Sequence, residues 1–134
     1  MKKLAIAASA LGIFAGLGGA THGPGEMLQG NMAPNDHFIQ AWPSLTALNG
    51  EPAMTIIPSY LIAGVLTILV GVALAVWAGK FVMHKSGGLI MIALSIVMLL
   101  VGGGIVPPFF GIAGGLIAVI LNYQTPKNGG GTGA

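Results

Sequence analysis

Residues 89–121 read LIMIALSIVMLLVGGGIVPPFFGIAGGLIAVIL, an apolar run without a single charge. As one helix it would extend roughly 50 Å at 1.5 Å per residue, far beyond a bilayer core of about 30 Å. The run must fold back, and the glycines and prolines of VGGGIVPP at 101–108 offer the break. Val106 and Pro107 each precede a proline and are pushed towards extended backbone, while Pro108 suits the first turn of a new helix. Gly102, Gly103, Gly104, Pro107 and Pro108 are therefore expected to make an outer turn, centred on 106–108, between a membrane helix at 87–105 and a short one at 109–123. A glycine run also invites comparison with the carbonyl-lined filters of cation channels. Counted from Ser86, however, Gly104 stands roughly 28 Å along a helix, at the far boundary of a bilayer and not at its middle. The turn is thus the simpler reading, and a re-entrant loop returns if 109–123, only about 22 Å long as a helix, fails to cross.

The rest of the chain shares this character. Of 134 residues, 54% are hydrophobic and 6% charged, where a soluble domain carries about a quarter as charges. The 23 glycines suit membrane helices that approach closely. Five lysines, no arginine and three acids (Glu26, Asp36, Glu51) give a net charge of +2, with no basic stripe for nucleic acid. Cysteine is absent, which removes disulfides, thiolate metal sites and cysteine nucleophiles.

Residues 1–20, MKKLAIAASALGIFAGLGGA, carry two lysines, an apolar stretch and small residues at Gly18 and Ala20. They read as a secretory signal peptide or as a first transmembrane helix with Gly12 and Gly16 on a packing face. Residues 21–55 hold all three acids and four of the eight prolines, and their glycine and proline content argues against a long helix or strand. Asn35 or Asp36 is expected to cap a short interfacial helix that places Phe38 and Trp42 on one face. Residues 56–78 are the clearest span, with Pro58 in its first turn and Tyr60 and Trp77 near its ends as interfacial anchors. Gly64, Gly71, Ala75 and Gly79 form a smooth stripe along it, and Gly111 with Gly115 a second. A basic loop at 79–86 carries Lys80, His84 and Lys85, and the tail at 124–134 is glycine-rich and flexible. Orientation follows from the lysines: with Lys2 and Lys3 inside, residues 21–55 lie outside, and all five lysines fall on the cytoplasmic side.

Chemistry is sparse. No acidic, basic or histidine side chain lies between Ile56 and Ala78 or between Leu89 and Leu121. Ser95 and Thr67 read as local hydrogen bonds to the preceding turn. His22, Glu26, Asp36 and His37 are metal-ligand types, but GPG between His22 and Glu26 argues against helical convergence, and no metal, cofactor or catalytic residue is assigned. His84 is read as part of a positive-inside flank, with pH sensing or headgroup contact as the alternative.

The signal-like start, SYLIAGVLTILVGVALAVWAGKFV, the basic loop and LLVGGGIVPP resemble, over residues 56–122, small bacterial multi-pass membrane proteins to which no activity is attached. The resemblance implies a protein of the bacterial cytoplasmic membrane. The expectation is an all-α integral membrane helical bundle, three spans plus an N-terminal signal peptide or fourth span. Its partners are the lipid bilayer and other membrane helices, in a homo-oligomer or larger complex. A non-enzymatic accessory, scaffold or assembly role is expected, with an oligomeric transport or pore-forming protein as the alternative.

Overall fold

The computed structural model describes residues 1–43 and 52–129, with side chains as far as residue 124. Residues 44–51, Glu51 among them, and the last five residues of the tail lie outside the described residues. The chain is an integral membrane helical bundle with a small sheet at one end. Its helices are α1 (Lys2–Ala20), α2 (His22–Leu28), α3 (Tyr60–Lys80), α4 (Gly87–Val101) and α5 (Val106–Gly129), and β1 (Phe38–Gln40) pairs antiparallel with β2 (Pro52–Met54). Among the described residues, three helical stretches are long and apolar enough to cross a membrane: Lys2–Leu28, Tyr60–Lys80 and Val106–Gln124.

The first of these corrects the boundary expected at residue 20. Thr21 keeps helical backbone, with φ −65° and ψ −18°, so α1 passes into α2 with only a local break. Pro24 accounts for that break, because it has no N–H to offer the Ala20 carbonyl one turn earlier. The small residues that argued for a loop serve packing instead. Gly23 lies against the Gly64 carbonyl and Ile68 of α3, and Gly25 lies under Ala41 and Trp42. Tertiary contact overrides the low helix propensity of GPG.

The expected interfacial helix around residues 35–42 is absent, because Phe38–Gln40 is a strand. Its inward side chain, Ile39, forms a small core with Ala41 and Ala53, flanked by Trp42 and Tyr60, while Phe38 points outward and is 68% exposed. Phe38 and Trp42 therefore share no helical face. Pro58 lies outside α3, which starts one residue after Ser59, whose hydroxyl accepts from the Ile62 N–H at 3.4 Å.

The fold-back shifts as well. α4 ends at Val101, and the turn is Gly102–Ile105, so both prolines sit in the first turn of α5, where missing N–H groups are not needed. The short helix of the hairpin is α4, roughly 22 Å at 15 residues. The final helix, expected to be short, is not: Val106–Gln124 alone covers 19 residues, roughly 28 Å, and the backbone stays helical to Gly129, where a flexible tail was expected from 124.

The core joins Ala8 and Ala15 of α1 with Leu74 and Ala78 of α3, Met91 and Met98 of α4, and Ala118 of α5, together with Val82 from the α3–α4 loop. Gly16 decides how close α1 and α3 come, since a Cβ there would lie 2.5 Å from both the Gly71 carbonyl oxygen and the Ala75 nitrogen. Lys2, Lys3, Lys80 and Lys85 are exposed, and Met1, Lys2 and Ala5 share a groove with Met83 and Leu121, so the lysine-bearing ends lie together.

Candidate functional site

Extending the first helix through Leu28 carries two titratable side chains, His22 and Glu26, into the bundle. They stand four residues apart, on one helical face, the convergence that GPG was expected to prevent. Both are buried, His22 at 4% exposure and Glu26 at 0%. Gly23 and Met27 seat α2 on Gly64 of α3. Thr67, one turn further along α3, then reaches Glu26, its hydroxyl oxygen 3.3 Å from Oε2. Thr67 lies seven residues, roughly 10 Å, inside the N-terminal end of α3. The acid therefore stands within the apolar thickness that α3 covers.

The third wall is the end of α4. A helix that stops inside an apolar layer must find donors for its last carbonyls. Met98 accepts from the N–H groups of Gly102 and Gly103, and Leu100 accepts from the Ile56 N–H at 2.9 Å. Val101 has two hydroxyl donors in reach, Thr55 at 3.1 Å and Thr67 at 3.3 Å. Thr67 is thus no local bond to its own helix, as the sequence suggested, but the meeting point of α2, α3 and α4. Ser95 does bond to the Met91 carbonyl one turn earlier, at 2.8 Å.

The glycine turn fits over the two titratable groups. A Cβ on Gly102 would overlap Glu26 Oε1 and lie 2.7 Å from Oε2, and one on Gly104 would lie 2.6 Å from His22 Nε2. Both glycines also hold positive φ, 124° and 84°, a region costly to any residue with a side chain. His22 Nδ1 lies 3.0 Å from the Gly18 carbonyl, which only accepts, so Nδ1 carries a hydrogen and donates. The sheet closes the top: Gln29 donates to the Gln40 carbonyl at 2.7 Å, and Trp42 Nε1 to the Thr21 carbonyl at 2.7 Å.

Glu26 is incompletely satisfied. Its Oε1 is buried without a hydrogen-bond partner among the described residues. Such an atom costs about 1–3 kcal/mol as a neutral group and far more as part of an unpaired charge. An ionisable group at membrane depth marks a functional position by default.

The other singled-out residues fall elsewhere. Gly64, Gly71 and Ala75 face α1 and α2, while Gly79 meets only Ile13 at 3.7 Å. Gly111 faces Ser95 and Ala15, and Gly115 faces Ile92 and the Gly88 carbonyl, so both stripes are used inside the chain. Trp77 donates to the Gly87 carbonyl at 2.9 Å across the α3–α4 loop, and His84 packs edge-on against Phe81 beside exposed Lys80 and Lys85. Asp36 and His37 line a cleft of about 250 Å³ with Thr55 and Pro58. No group of three or more His, Asp or Glu suited to a metal comes together among the described residues.

The sequence offered Glu26 only as a metal-ligand type set apart from His22 by GPG, yet one signal pointed to its burial. The small residues Gly12, Gly16, Gly19 and Gly23 repeat at helical spacing straight past Ala20, and all four are buried. Comparison with protein families, curated proteins and solved structures finds no match to this chain.

Proposed function

We propose that the chain is a non-enzymatic accessory, scaffold or assembly subunit of the bacterial cytoplasmic membrane, retaining its first helix and presenting the sheet on the outer side. The observation that carries this reading is the filled interior. Ala15, Leu74, Met91 and Met98 are fully buried where the helices meet, which favours a body that others pack against over a conduit. The retained first helix is supported by Gly12, Gly16 and Gly19, all buried against other helices of the bundle. The orientation is supported by the lysines gathered at the end opposite the sheet. Because the small-residue stripes are spent within the chain, partners would meet the lipid-facing side chains or the outer cap.

The test has two arms. The full chain, extracted in mild detergent, is expected in a complex of fixed stoichiometry larger than the monomer. The purified chain in liposomes is expected to pass neither sodium, potassium nor protons. Sustained flux through the purified chain overturns the accessory reading in favour of oligomeric transport, the reading that buried Glu26 would otherwise support.

A further inference from the structure

We propose that Glu26 is a proton-binding site inside the bundle, and that the Gly102–Gly104 turn is the element that answers the gain or loss of that proton. The argument is hydrogen-bond accounting. The Thr67 hydroxyl has one hydrogen and two acceptors in reach, Glu26 Oε2 and the Val101 carbonyl, each at 3.3 Å. With a proton on Glu26, the acid donates to Thr67 and Thr67 donates to Val101, so each hydrogen is used once. Without it, Thr67 must turn to the carboxylate and leave Val101 to Thr55, which already stands 3.1 Å away. In either state Oε1 has no donor among the described residues, but on a charged carboxylate facing the negative end of α4 that lack costs far more. Gly102 lies directly against both carboxyl oxygens, so the turn cannot stay indifferent to the exchange.

A proton is the ligand of choice because it needs no space. The turn backbone is pressed onto the carboxyl group, whereas a metal ion would require room and further oxygen ligands. The titratable neighbour is His22, one turn earlier on the same face and under Gly104. α3 contributes Thr67 and the end of α4 contributes backbone, neither of which titrates. Asp36 and His37 stand off in the cleft whose floor Thr55 shares. The inference does not depend on the accessory role.

The test is infrared spectroscopy of the full chain in lipid vesicles across a pH series. A protonated-carboxyl C=O band is expected at neutral pH, where exposed carboxylates are ionised. It should be missing from Glu26→Gln and retained in Asp36→Asn. Thr67→Val, which keeps side-chain shape, should shift the band to higher frequency by removing its hydrogen bond, and this holds the assignment if Glu26→Gln does not fold. In glycine-labelled protein, signals of the 102–104 turn should move with the same titration. Absence of the band in the wild type, or a band that Thr67→Val leaves in place, overturns the site. Turn signals that ignore the titration overturn the response.

Discussion

Gly102 and Gly30 share left-handed backbone, with φ of 124° and 86°, but differ in surroundings: Gly102 abuts Glu26, whereas no described residue lies within 4 Å of a Cβ at Gly30. Gly30→Ala is therefore expected to cost only the conformational penalty, about 1–2 kcal/mol. Gly102→Ala adds an overpacking cost of typically about 1–3 kcal/mol. Thermal unfolding in detergent measures both, and equal costs would contradict the contact. Combining Gly102→Ala with Glu26→Ala should recover part of the loss, a coupling that a double-mutant cycle reads directly. At this scale the sequence was least informative. Glu26 sits after HGPG, which in water signals a turn, and its burial depends on contacts from α3 and α4 that no local pattern contains. Thr67 was misjudged for the same reason, since both of its partners are more than 30 residues away in the chain.

Among the elements, α1 and α3 touch through backbone, and α4 ends within the apolar layer under borrowed caps. Gly16→Leu would drive a side chain into Gly71 and Ala75, whose backbone atoms cannot give way. It is expected to unseat α1 and abolish the cooperative unfolding transition. Gly79→Leu, with only Ile13 nearby, should stay within about 0.5 kcal/mol of wild type. If both variants unfold like wild type, the α1–α3 contact is wrong. Ile56→Pro removes the N–H that serves the Leu100 carbonyl. It should cost about 1–3 kcal/mol and speed amide exchange in the last turn of α4 while leaving the middle of α3 protected. Unchanged exchange at 98–101 would count against the cap. α3 and the existence of a fold-back were legible, because long apolar runs and a Gly–Pro break are strong signals. The exact turn was not, because prolines are as welcome inside the first turn of a helix as before it. The three-residue strands were too short for alternation to show against their proline- and glycine-rich surroundings.

For the molecule as a whole, the class of fold follows from charge poverty and apolar length, both plain in the chain. What the sequence left open was whether the first 20 residues belong to the finished bundle. Their composition suits a signal peptide as well as a helix, and the choice rests on packing: Ala8, Gly12, Ala15, Gly16 and Gly19 are all buried. On that choice rests the buried acid, since α2 is positioned as the continuation of α1. The most direct measurement is the intact mass of the protein extracted from its native membrane. A chain that keeps residues 1–20, close to 13.4 kDa, is the expected result. A mature protein beginning near Thr21 would contradict the account, because the bundle would then lack the helix that α3 and α5 pack around.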